Sequence, residues 1–205
     1  MNQSTPHRAA LQRRALRLEY STIAWNIGEA VLTITLGTMA GSLALIGFGT
    51  VSIVEVFASS VVVWHLLPGH TQDHSGRTRL ALRLTAMAFL LLAVGLMIAA
   101  LSDLTSGRQA GESPWGIAYL AVTAFVMFGL AWLKRRTAFG LDSAPLRSEA
   151  TLTFLDGVLS TATLLGLALN AYVGWWWADP AAAILVALAA FNEARENWNE
   201  ADELV

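Results

Sequence analysis

Six apolar windows of roughly 20 residues, each bounded by charge, Pro or Gly, fill almost the whole of this 205-residue chain, at 20–42, 44–67, 80–102, 114–133, 148–170 and 173–192. A helix rises about 1.5 Å per residue, so a window of that length crosses the ~30 Å hydrocarbon core of a bilayer. No room remains for a soluble domain beside them. Composition agrees: 55% of residues are hydrophobic, 14% are charged and the mean hydropathy is +0.53, whereas about a quarter of a soluble domain is charged. The expected fold class is all-α integral membrane, a bundle of six transmembrane helices.

Charge orients the bundle. Six alternating spans place Arg8, Arg13, Arg14, Arg17, Arg77, Arg79, Arg83, Lys134, Arg135, Arg136, Arg147 and Arg195 on one side and Arg108 alone on the other. The positive-inside rule then predicts both termini in the cytoplasm, in a multi-pass protein of the plasma or inner membrane. Tyr172 and Trp175-Trp176-Trp177 fall at the outer interface, where amphipathic rings belong. A basic amino-terminal segment, 1–19, precedes the membrane domain at 20–198. The apolar run behind that segment is too long for a cleaved signal peptide and reads as a retained span. Residues 199–205 read as a short acidic tail without order.

Composition also excludes. A net charge of −2 and a pI near 6.1, without a basic stripe, argue against nucleic acid as a partner. The chain has no cysteine, so disulfides, thiolate metal sites and cysteine nucleophiles are ruled out. An intramembrane enzyme needs a nucleophile with a base or a histidine-bearing metal motif, and every histidine lies outside the hydrophobic centre of a span. The chain is therefore not expected to be an enzyme, and no cofactor is expected.

Ionisable groups at mid-bilayer cost about 2.5–3.5 kcal/mol each even on the lenient insertion scale, so each asks for a partner or a task. In span one, Thr22, Asn26, Glu29 and Thr33 step by four, three and four, which puts them on one helical face. Span two carries Ser52, Glu55 and Ser59 in the same way. The longest stripe is in span five, with Glu149, Thr153, Asp156, Ser160 and Thr163. Ser and Thr at such spacing serve more often as interhelical glue than as ligands. Glu55 and Asp156 are different, since buried acids in lipid are rarely structural. Both lie deep in their spans and are placed to meet. Two bare carboxylates repel, so either they share a proton or a cation sits between them. Glu29 fits equally well as a helix-packing partner, and Glu149 as a first-turn acid favoured by the helix dipole.

The remaining signals are weaker. His70 and His74 are four apart, but Pro68, Gly69 and Gly76 mark 69–79 as a loop. His65 complements the carboxy-terminal end of span two. Gly37, Gly41, Gly47 and Gly49 read as close-packing positions between spans one and two.

Several motifs occur in a telling order: Trp25-Asn26-x-x-Glu29, Gly41-Ser42-x-Ala44-Leu45, Ser52-x-x-Glu55-x-x-Ala58-Ser59 and Ala178-Asp179-Pro180. In these the chain resembles the cation diffusion facilitator family of divalent-metal/proton antiporters, in a short form with the membrane domain only and no carboxy-terminal cytoplasmic domain. The resemblance implies a secondary transporter that exports a divalent metal cation (zinc or manganese first, then iron or cobalt) in exchange for protons. It also implies a metal held by two residues four apart on span two and two residues four apart on span five. Carried over, these positions are Val51 and Glu55, and Leu152 and Asp156. Val51 and Leu152 cannot bind a cation, which makes the site atypical. The expected metal site is therefore Glu55, Asp156, Glu149 and Ser52, with Asn26, Glu29 and Thr153 lining the path. Carboxylate and hydroxyl oxygens without histidine suit manganese better than zinc. The expected partners are the lipid bilayer, the cation, protons and a second copy joined through the spans. The alternative is a non-transporting, metal-binding or regulatory member of the same fold with a degenerate site.

Overall fold

The computed structural model describes residues 4–40, 43–67, 74–107 and 114–204. These form six α-helices: α1 (Ser4–Ala40), α2 (Leu43–Leu66), α3 (His74–Ser106), α4 (Pro114–Leu141), α5 (Ala144–Val173) and α6 (Ala178–Glu203). No strand occurs among the described residues. Each expected span lies largely within one helix. Three helices contain stretches long and apolar enough to cross a bilayer by length and composition: Gly49–Leu66, Ser75–Ser106 and Ala118–Leu141. The other three carry polar stripes or charged ends that lower their hydropathy.

The distribution of side chains is inverted relative to a soluble bundle. Phe125, Leu185 and Ile98 are 81%, 68% and 64% exposed, while Glu19, Lys134 and Glu149 are fully buried. In water such an apolar surface would drive aggregation. In lipid it is the solvated face, and polar groups turn inward because hydrocarbon offers them no hydrogen bonds. The chain is a multi-pass membrane protein.

Helix ends differ from the sequence expectation in five places. The basic cluster 134–136 was expected in a loop reaching Arg147, but α4 runs on to Leu141 and only Asp142 and Ser143 separate it from α5. Asp142 takes a left-handed φ of 53°, and Ser143 Oγ accepts the Leu146 N–H at 3.5 Å at the start of α5. Arg135 and Arg136 remain on the exposed face, with the Arg136 guanidinium 4.6 Å from the Trp132 ring centroid. The helix therefore needs no break to keep those charges wet.

The expected loop at 69–79 is shorter, since α3 begins at His74. His70 lies outside the described residues. At the other end α3 continues to Ser106, past the expected limit of its span. The amino-terminal segment is helical from Ser4 and continuous with the first span. It packs on the α4–α5 end of the bundle through Arg8, which donates to Leu141 O at 3.4 Å, and through Gln12, which donates to Leu66 O. The acidic tail expected to lack order extends α6 to Glu203. Buried Ala194, Asn197 and Ala201 recur at steps of three and four there, and Arg83 holds Asp202 at 2.8 Å while Arg147 holds Glu200 at 2.9 Å.

The main core joins α3, α5 and α6, around Phe89, Leu92, Leu155, Leu159, Val186 and Ala190. A second cluster closes the α4–α5 end, where Ala15 of α1 meets Val62, Leu66, Ala138, Leu141 and Leu146. Of the glycines expected at the α1–α2 contact, Gly49 is buried and a Cβ there would lie 2.5 Å from Ile34 Cγ1. Gly37 and Gly47 fall within helices, and Gly41 lies outside the described residues.

At Gly166 α5 and α6 approach closely, because a Cβ there would lie 2.9 Å from the Asp179 Cα and 3.0 Å from its nitrogen. Backbone cannot yield as a flexible side chain can. Gly166→Ala should therefore cost about 1–3 kcal/mol, while Gly28→Ala, with nothing within 4 Å, should be neutral or slightly stabilising. Thermal unfolding of the two variants in the same detergent checks the contrast.

Candidate functional site

The polar stripes of α1, α2 and α5 face a common interior, and α4 contributes the cation that the stripes lack. Lys134 Nζ donates to Glu149 Oε2 at 2.6 Å, to Glu149 Oε1 at 2.7 Å, to Thr153 Oγ1 at 3.2 Å and to Glu19 Oε2 at 3.3 Å. Ser59 Oγ adds a bond to Glu149 Oε1 at 2.7 Å, and Thr153 Oγ1 another at 3.2 Å. Lys134, Glu19 and Glu149 are all fully buried. Three helices thus meet on one ammonium, and α2 joins them through the Ser59–Glu149 bond.

Lys134 and Glu19 were both expected outside the span. Lys134 begins a run of three basic residues, and Glu19 closes the basic segment. A helical register finds both. On α4, Thr123, Met127, Ala131, Lys134 and Ala138 are all buried and step by four, four, three and four. On α1, Glu19 extends the buried stripe of Thr22, Asn26, Glu29 and Thr33 backward by three.

A second group forms around Glu29. Tyr119 Oη donates to Glu29 Oε1 at 2.7 Å, Thr123 Oγ1 to the same oxygen at 3.4 Å, and Ser52 Oγ to Oε2 at 3.0 Å. The carboxylate is held entirely by hydroxyls. Tyr119 was not singled out in the sequence, because one phenol in an apolar span carries no periodic signal.

Between these groups lies a narrow pocket lined by Val51, Val54, Glu55, Leu92, Leu152 and Asp156. It brings together all four positions carried over from the family resemblance, two acids and two aliphatic residues. Glu55 and Asp156 are buried; neither oxygen of Glu55 has a well-formed hydrogen bond, although Thr153 and Asn26 stand beside it, and Asp156 Oδ2 has none. Asn26 Oδ1 is also without a partner; its Nδ2 donates to Thr22 O at 3.1 Å. Bare buried carboxylate oxygens are costly unless something binds them.

Of the expected metal set, Glu55 and Asp156 share this pocket. Ser52 is engaged with Glu29, and Glu149 with Lys134. Among the described residues no three of His, Asp or Glu converge as a metal-holding group. Of the expected path residues, Asn26, Glu29 and Thr153 are all buried on the interior faces of α1 and α5. His65 stands half-buried at the end of α2, and the side chain of His74 lies outside the description.

An all-helical, multi-pass bundle with apolar faces outward and carboxylates enclosed defines a polytopic membrane protein with an internal polar site. The chain belongs to the cation efflux family, whose transmembrane-domain profile matches residues 20–201. A protein of Synechocystis sp. named an uncharacterized transporter is 27% identical over 175 residues, which are 80% of this chain and 56% of that relative. The chain thus spans about half the length of that curated relative.

The two polar groups should differ in energetic weight. Tyr119→Phe removes one of three donors to Glu29 and should cost about 0.5–1.5 kcal/mol, the range of interhelical hydrogen bonds in membranes. Lys134→Met leaves two buried carboxylates uncompensated and should cost about 3–5 kcal/mol. Unfolding in a denaturing detergent series orders the two, and equal losses would contradict this assignment.

Proposed function

We propose that this bundle is a secondary transporter that moves a divalent metal cation in exchange for protons, with Glu55 and Asp156 as the groups that trade one for the other. The observation that carries the reading is the pocket itself, where Glu55 and Asp156, two buried acids, come together among Val51, Val54, Leu92 and Leu152. A cation between two carboxylates relieves their repulsion, and two protons do the same. That equivalence is the chemical basis of exchange. Membership of the cation efflux family and likeness to a protein named a transporter support the direction of the argument.

The proposed orientation has both termini in the cytoplasm. It is supported by the end of the bundle where Arg83, Arg147 and the first turns of α1 gather, since cytoplasmic faces collect Lys and Arg. Oxygen donors alone favour manganese over zinc, with iron and cobalt between them. A homodimer formed through the spans belongs to the same proposal.

One observation favours a second reading, a non-transporting member that binds metal weakly or serves a partner: four of the six pocket residues are aliphatic, and among the described residues no third acid or histidine joins Glu55 and Asp156 as a metal-holding group.

Flux in proteoliposomes separates the two readings. With an imposed pH gradient the chain should take up manganese, and Glu55→Ala or Asp156→Ala should each reduce metal-dependent proton movement by more than the roughly 10–100-fold that loss of an outer-shell partner costs a metal site. Zinc, iron and cobalt are measured alongside. Absence of flux for all four metals under either gradient favours the second reading. The double substitution Val51→Asp with Leu152→His completes four donors and should tighten zinc binding by about 10–100-fold, read by isothermal titration. No gain in zinc affinity would mean that the pocket cannot close around a metal.

A further inference from the structure

A lysine held by acids inside a membrane bundle needs a reason, because apolar side chains of similar volume would fill the same space without burying charge. Lys134 and its partners stand in a particular place. Along α5, Glu149 lies seven residues, about 10 Å, from Asp156 toward the α4–α5 end, and along α2, Ser59 lies one turn, about 6 Å, from Glu55 in the same direction. The ion cluster therefore occupies the interior directly between the pocket and that end of the bundle. Beyond it lies the apolar cluster of Ala15, Val62, Leu66, Leu141 and Leu146. An ion moving along this line of the interior meets the Lys134–Glu149 pair before it reaches the pocket.

The bonding pattern also fits a latch. Lys134 on α4 reaches Glu149 on α5 and Glu19 on α1, while Ser59 on α2 holds the same Glu149. Glu149 accepts from Lys134, Ser59 and Thr153, whereas Glu19 Oε1 has no partner and Glu55, with Thr153 and Asn26 beside it, has no well-formed hydrogen bond. Glu55 lies within electrostatic reach of both Lys134 and Glu149. The ammonium thus has vacant acceptors on either side of its present position.

We propose that Lys134 is the latch of the pocket at the α4–α5 end: paired with Glu149 and Glu19 it bars entry from that end, and a cation reaches Glu55 and Asp156 only when this pairing opens. Lys134 is a positioning residue, tethered in the path as an internal cation whose charge also repels an entering metal. The idea rests on the transport reading for its purpose, but its test does not require transport.

The natural absence of cysteine makes the test clean. A single reporter, Val54→Cys, places a thiol on the pocket wall, and a small membrane-impermeant cationic methanethiosulfonate is applied to each side of proteoliposomes in turn. With Lys134 intact, labelling from the α4–α5 end should be slow. In Lys134→Met it should rise by about tenfold or more, as for an open state moving from about 1% to about 10% of molecules. Lys134→Arg, which keeps the charge, should stay slow. Should Lys134→Met fail to assemble, Glu149→Gln decides the matter, since it keeps an acceptor for Ser59 and Thr153 while removing the charge that holds Lys134; it too should label faster from that end. Equal labelling rates in the parent reporter and in whichever of Lys134→Met and Glu149→Gln assembles would overturn the proposal, as would a rise confined to the opposite side. Manganese and zinc serve as probes of the other question. Failure of either metal to protect Val54→Cys, with the latch behaviour intact, counts against the transport reading and not against the latch.

Discussion

A charge buried in hydrocarbon must find its counter-charge inside the protein, and in this bundle that requirement falls on Lys134. Its ammonium is fully buried, so Glu149 and Glu19 must come to it, bringing α5 and α1 with them. Ser59 brings α2 to the same carboxylate. Four of the six described helices are thereby tied into one ion cluster, three at the Lys134 nitrogen and the fourth through Glu149. The turn at Asp142–Ser143 follows from the same demand, because α4 must run on past Lys134 and reverse within two residues for Glu149 to lie beside it.

The other two helices are held by different physics. α3 and α6 meet through Phe89, Leu92, Ala93, Val186, Ala187 and Ala190, with no buried charge in that core cluster. Their polar ties stand at the rim, where Arg83 pairs with half-exposed Asp202 and stacks 5.4 Å from the Trp198 ring. Such exposed pairs contribute about 0–1 kcal/mol. In lipid there is no hydrophobic drive between apolar helices, so close packing supplies their contact. The pocket sits at the seam between these regimes, with Glu55 and Asp156 from the polar half and Leu92 from α3.

This division explains what could be read from the chain beforehand. Apolar windows and the four-three stepping of Thr22, Asn26, Glu29 and Thr33, or of Glu149, Thr153, Asp156 and Ser160, depend on one helix at a time. The structure buries every one of those residues, while Thr163, the last of the span-five stripe, is only half-buried. Helix ends were less legible, because a charged residue near an interface is compatible with both loop and helix. Arg135 and Arg136 pointed outward, Lys134 inward, and the three are adjacent in sequence. Only the helical register tells them apart. The hydroxyl cage of Glu29 was less legible still, since Tyr119 and Ser52 come from helices whose rotation about their axes the sequence does not specify.

The composition of the pocket bears on what a cation bound there would have to bring with it. Two carboxylates supply four oxygens at most, and Val51, Val54, Leu92 and Leu152 supply none. A metal such as manganese, which takes six oxygen ligands, would on the proposed function retain water at its open positions. Such water needs acceptors, and Asn26 Oδ1 and Ser160 Oγ are buried nearby on α1 and α5 without partners. Selectivity would then depend on how readily an ion gives up part of its hydration, more than on ligand softness. A four-donor site strips the ion and recognises its geometry; a two-acid pocket with aliphatic walls neutralises its charge and leaves its shell partly intact. On the proposed function, aliphatic Val51 and Leu152 at positions where the family resemblance implies ligands would change the basis of discrimination as well as its strength.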